Sequence, residues 1–175
     1  MNDLYLLRHG IAVEPGTPSI PDDERPLTSK GKKRMHQIGR GLRRLDLKLD
    51  RIVTSPLPRA RATAEIVAEE LDAEDLLETA DVLRAGADAP AIQGWLRERT
   101  EDRLMIVGYN PALTDLIALL VLGASRAQRQ ICELKKGGIA ALRPSTSSPD
   151  RFDLVWVATP RLIRRLAGAQ SSSRK

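Results

Sequence analysis

The chain has 175 residues, 42% apolar and 29% charged, with 28 basic against 23 acidic side chains and a net charge of +5. That length suits one domain with a sizeable core, and that balance excludes a disordered or fibrous protein. No apolar run approaches the roughly 20 residues that a membrane-spanning helix needs, the longest lying around residues 116–122. Asp3 and the early arrival of Arg8 and His9 leave no room for the apolar region of a signal peptide. A single Cys132 makes no internal disulfide and reads as packing, so a cytoplasmic location is the expectation. The basic excess favours anionic ligands. With only 3% aromatic residues there is little to stack on bases, so a small phosphorylated ligand suits this chain better than specific nucleic acid.

Short aliphatic and β-branched runs predict strands at residues 4–7, 51–54, 104–107, 139–142 and 152–157. Helical spacing appears between the earlier ones. Met35, Ile38, Leu42 and Leu45 form one stripe behind Thr28 as N-cap, and Ala60, Ala64, Val67, Ala68 and Leu71 form a second. Residues 89–99 and 112–122 supply two more helices, the latter stopped by Gly123. This alternation predicts a three-layer α/β domain over residues 1–168, a mostly parallel sheet with helices on both faces. The last two strands form an antiparallel pair across a polar turn at 145–150. Residues 13–23, with Pro15, Pro18 and Pro21, make a long loop of the kind that walls a site. Residues 169–175 read as a disordered basic tail. No coiled-coil pattern or large apolar face is visible, which favours a monomer.

Chemistry-bearing residues gather just past three of the strands: Arg8-His9-Gly10, Ser55-Pro56-Leu57-Pro58-Arg59, and Gly108-Tyr109-Asn110-Pro111. In open parallel sheets ligands bind beyond the carboxyl ends of strands, so these segments should bring His9, Arg8 and Arg59 to one anion. A neutral imidazole can attack phosphorus, and arginine forks match phosphoryl oxygens. The positive charge of the arginines should keep His9 unprotonated, and Gly10 lets backbone come close to a ligand. Thr63, four residues after Arg59, can buttress it. With only His9 and His36 present, and no cluster at ligand spacing, neither metal nor cofactor is implied.

Arg8-His9-Gly10 together with Ser55-Pro56-x-x-Arg59-Ala60-x-x-Thr63-Ala64 resembles the histidine phosphatase superfamily. The stretch Asp22-Asp23-Glu24-Arg25-Pro26-Leu27-Thr28 with Gly31, the Gly108-Tyr109-Asn110-Pro111 segment and Lys135-Lys136-Gly137-Gly138 make it similar to that family's SixA-type phosphohistidine phosphatases. The resemblance implies the histidine phosphatase/phosphoglycerate mutase fold, a phospho-His9 intermediate, no cofactor, and a phosphorylated protein as partner. It assigns Arg8, Arg59 and the position of Tyr109 to the catalytic set. Gly10, Asn110, Arg25 and Asp22 join Arg8 and Arg59 in substrate binding; Arg25 could instead pin the long loop through Asp22 or Asp23.

The chain departs from the family at Tyr109, where a second histidine is expected. A tyrosine donates one hydrogen bond and brings no positive charge, which by analogy with a lost oxyanion donor costs roughly 10²–10³ in rate. His36, mid-helix among basic residues, does not replace it. No carboxylate near residues 83–86 serves as general acid. A labile P–N bond tolerates that; a sugar alkoxide does not. A second reading is therefore a pseudophosphatase that binds phosphoryl groups without turnover, with Tyr109 either a donor or a packed ring. A third is a polyanion binder working through the run Lys30, Lys32, Lys33, Arg34, Arg40, Arg43 and Arg44, which otherwise reads as a solvated helix face.

Overall fold

The computed structural model describes residues 1–123, 131–148 and 151–168. Among them the chain runs β1 (Asp3–Arg8), α1 (Ser29–Arg44), β2 (Arg51–Thr54), α2 (Pro58–Leu71) and β3 (Leu77–Thr79). It continues through α3 (Ala89–Arg97), β4 (Arg103–Gly108), α4 (Ala112–Leu122), β5 (Ile139–Pro144), β6 (Phe152–Ala158) and α5 (Pro160–Gly168). The strands form one sheet in the order β3-β2-β4-β1-β5-β6. Pairings from β3 to β1 are parallel, and β5 and β6 add an antiparallel edge.

Alternation along β1 shows how the layers arise. Tyr5 and Leu7 face a core built with Met35, Ile38 and Leu42 of α1, Ala64 and Val67 of α2 and Ile163 of α5. Leu4 and Leu6 face the opposite core, with Ile92 and Leu96 of α3 and Leu113, Leu116 and Ile117 of α4. Since successive side chains leave a strand on opposite faces, the near-continuous apolar runs of β1 and β4 mark strands buried on both sides. This is the expected three-layer α/β arrangement.

The helix ends follow local chemistry. Thr28 Oγ1 accepts the Gly31 N–H at 2.9 Å, the N-cap expected from sequence. Pro58 opens α2, where its missing N–H costs nothing. Three details differ from expectation. Leu45 lies past the last turn of α1 as its C-cap and is 40% exposed, so the apolar stripe ends at Leu42. Helix α3 stops at Arg97 rather than 99, its last carbonyls taken up by the Glu98 N–H. Neither β3 nor α5 was expected. The first is three residues long, and the second is a nine-residue helix whose inward contact is the fully buried Ile163. The tail 169–175 and the end of the 145–150 turn lie outside the described residues.

The register sets up the site. Arg8 pairs with Gly108 and Thr54 with Val107, so β1, β4 and β2 end almost flush. His9 N–H then donates to Gly108 O at 3.0 Å and Ser55 N–H to Val107 O at 3.1 Å, which places the three motif loops side by side.

Candidate active site

His9 is only 5% exposed, held where β1 ends. Its Nδ1 lies 2.7 Å from Gly10 O, an arrangement in which Nδ1–H donates and Nε2 keeps its lone pair. Burial lowers its pKa from 6.5 to about 4, and the charges of Arg59, Arg8 and Lys136 push the same way against the Gly10 hydrogen bond. The imidazole is therefore neutral at pH 7. Burial is the larger cause, and the arginines expected from sequence to keep the imidazole neutral contribute less.

Gly10 donates its N–H to Thr63 Oγ1 at 3.0 Å, and Thr63 Oγ1 donates in turn to Arg59 O at 2.7 Å. The histidine loop and the arginine at the start of α2 are thus joined through one buried hydroxyl. A Cβ at position 10 would come 2.7 Å from Met35 Cγ, so glycine is what lets the loop pack on α1.

Arg59 is 2% exposed. Its Nη1 donates to Asp22 O at 2.6 Å and its Nη2 to Asp22 Oδ2 at 3.2 Å, while its Nε is buried without a partner among the described residues. Arg25 donates to the other Asp22 oxygen at 2.8 Å and to Val13 O at 2.7 Å, so it pins the long loop. The Asp22 carboxyl is held below its usual range, first by the Arg25 hydrogen bond and also by the Arg59 charge. It is ionised at neutral pH and carries no proton to donate.

Tyr109 is 7% exposed and its ring packs against two site groups: the His9 ring centroid is 5.1 Å away, and the Arg59 guanidinium carbon sits 4.6 Å from the centre of the tyrosine ring. Its hydroxyl faces Ser55 without reaching hydrogen-bond geometry and remains buried and unpaired among the described residues. The tyrosine therefore fills space against both groups as a packed ring. Arg8 Nη1 and Asn110 Nδ2 converge on Leu134 O at 2.9 and 3.0 Å, leaving Arg8 Nε and Asn110 Oδ1 buried and without a partner among the described residues. His36 stands apart, on Glu70 at 2.9 Å beside Arg40.

From sequence, Lys136 stands out only within the Lys135-Lys136-Gly137-Gly138 segment of the family resemblance, with no role of its own. The structure makes that segment a turn and ties it to the site: Gly137 N–H is shared between Arg8 O and His9 O, both at 3.0 Å, and Arg8 N–H reaches Gly138 O at 3.0 Å. No periodicity signals a contact spanning more than 120 residues. Among the described residues no cluster of His, Cys, Asp and Glu could hold a metal ion, and no helix is long and apolar enough to cross a membrane.

Fold and site together define an α/β protein that sets a neutral imidazole among cations beyond parallel strand ends, an arrangement able to receive an anion. The profile of the histidine phosphatase superfamily (branch 1) matches residues 4–84, and an uncharacterized protein of Picosynechococcus sp. is 36% identical over 81% of this chain and 84% of its own. The chain belongs to the histidine phosphatase superfamily, whose members are phosphatases. The mitochondrial serine/threonine-protein phosphatase Pgam5 of Drosophila virilis is 33% identical over 50% of this chain, which spans 29% of that protein. The structure of the protein histidine phosphatase SixA complexed with tungstate shares the fold, with a TM-score of 0.75 at 21% identity over 91% of this chain and 97% of that one.

Proposed function

We propose that residues 1–168 act as one phosphohistidine phosphatase unit, working in the cytoplasm on a phosphorylated protein. The observation that carries this reading is the state of His9, neutral and fixed through Nδ1 so that Nε2 is the free nitrogen. Nε2 attacks phosphorus, the phosphoryl group passes to His9, and the imidazole of the substrate leaves and takes a proton from solvent. Water then attacks phospho-His9, releasing inorganic phosphate and regenerating the free nitrogen. Arg59 and Arg8 bind the phosphoryl oxygens, and their positive charge balances the charge spreading over them in the transition state. Binding requires Arg59 to exchange Asp22 for the ligand. The ionised state of Asp22 fits a substrate whose leaving group needs no protein acid, as a P–N bond allows.

A second reading, a phosphoryl-binding pseudophosphatase, draws on the Tyr109 ring standing between His9 and Arg59 and on Asp22 occupying the arginine. Single-turnover phosphate release from a phosphohistidine protein and from a small aryl phosphate, with His9→Ala as control, separates the two. His9-dependent release with an acid-labile phosphoenzyme is expected. No release, with vanadate still bound, would establish the second reading.

A further inference from the structure

Behind Gly10, between α1 and α5, lies a groove of about 370 Å³. Arg34, Lys135, Lys136, Arg161 and Arg164 line it, and among the described residues no carboxylate does. Ile11, Met35, Ile38 and Pro160 supply its apolar lining, with Ile11 and Pro160 the partly exposed ones. These cations are lightly engaged. Among the described residues Lys135 and Lys136 have only long ion pairs, 3.7 Å to Glu133 and 3.9 Å to Glu14, Arg164 Nε donates to Pro160 O at 3.2 Å, and Arg34 and Arg161 have no ion-pair partner. Arg40 and Arg43, from the same basic run, are by contrast tied to Glu70 and Asp72 of the α2 end. The groove shares a wall with the nucleophile, since the turn carrying Lys136 is hydrogen-bonded to Arg8 and His9. Gly137 makes that approach possible: its φ is +78°, and a Cβ there would come 2.8 Å from Ile38 Cδ1.

We propose that this groove is a docking subsite for an acidic segment flanking the phosphorylated residue of the protein substrate, one that carries carboxylates beside an aliphatic side chain. This rests on the reading that the substrate is a protein. Cations set among apolar lining residues suit such a segment on two counts. Carboxylates meet the cations, and an aliphatic group packs on partly exposed Ile11 and Pro160 and on the alkyl stems of the basic side chains. A polyphosphate offers nothing to the apolar lining, and a nucleic acid finds no aromatic ring there to stack on.

The test compares phosphohistidine peptides that differ only in acidic or neutral flanking residues, with a small aryl phosphate as the substrate too short to reach the groove. The wild type should show a KM about tenfold lower for the acidic peptide with similar kcat. Arg34→Glu with Arg161→Glu should erase that preference and leave aryl phosphate turnover within about twofold. The milder pair Arg34→Gln with Arg164→Gln should lose part of it, which separates a charge effect from misfolding. Binding of the unphosphorylated acidic peptide, followed by fluorescence anisotropy, needs no turnover. Its loss in the reversed variant supports the subsite even if phosphatase activity is never found. Equal handling of both peptides by the wild type, or a preference that survives charge reversal, would overturn the proposal. So would tighter, His9-independent binding of polyphosphate than of the acidic peptide.

Discussion

The buried neutral state of His9 carries a thermodynamic signature. In the unfolded chain its imidazole titrates near 6.5, and in the folded protein near 4. Above pH 6.5 both states are neutral at this residue and nothing is gained or lost. As pH falls from 6.5 to about 4, the unfolded chain takes up a proton that the native site refuses, so stability drops. At about 1.4 kcal/mol per pH unit across about 2.5 units, the loss amounts to about 3 kcal/mol. Below that window both states are protonated and the term is constant. Other groups titrate in the same range, so the informative quantity is a difference. Urea unfolding of the wild type and of His9→Asn, which keeps an amide donor for Gly10 O, should be measured from about pH 7.5 to about pH 4. The stability advantage of the wild type over the variant should shrink by about 3 kcal/mol over that interval. Parallel stability curves, offset by a constant within about 0.5 kcal/mol, would refute the claim that His9 is held neutral by its surroundings.

Restoring the family residue with Tyr109→His should raise kcat for a phosphohistidine substrate by about 10²-fold, measured by single-turnover phosphate release; a change below about threefold means the site works around tyrosine. Tyr109→Phe removes a buried hydroxyl that has no hydrogen-bond partner among the described residues, so chemical denaturation should show stability equal to the wild type or higher by about 1 kcal/mol. Thr63→Val keeps the shape but strips both hydrogen bonds that join Gly10 to Arg59. Unfolding free energy should fall by about 1–3 kcal/mol, and vanadate affinity should fall with it. Gly31→Ala drives a Cβ to 2.0 Å from Ile11 O, a backbone atom with little room to yield. A loss of at least about 2 kcal/mol in the same assay is expected, and a variant as stable as the wild type contradicts the packing described.

Much of the fold was legible because its strands are buried on two sides and its helices on one. The runs at β1, β2 and β4 and the stripe from Met35 to Leu42 carry those periods in plain view. Strand β3 escaped because three residues hold no period, and α5 because Arg161, Arg164 and Arg165 mask the inward spacing of Ile163. Pro160 after Thr159 was its one visible start signal. At the site, the residues of the nucleophile loop and of the α2 start were legible as motifs. Their electrostatics were not, since the depth of His9 depends on packing that sequence spacing does not encode. Nor was Asp22 legible as the partner of Arg59: that contact joins a proline-rich loop to a helix 37 positions away, and only the folded chain shows which loop carboxylate arrives.

That contact bears on how any affinity for this site is to be understood. Arg59 and Arg25 already hold a carboxylate between them, so the resting site is an internal salt and not a bare cradle. An incoming anion gains its own contacts and forfeits those of Asp22, and a measured dissociation constant reports the difference. Monovalent anions swap one charge for another and gain little, whereas a phosphoryl dianion brings more charge and a third oxygen. Selectivity for phosphoryl groups over chloride or acetate thus follows from competition within the chain, and replacing Asp22 would make the site stickier and less discriminating together.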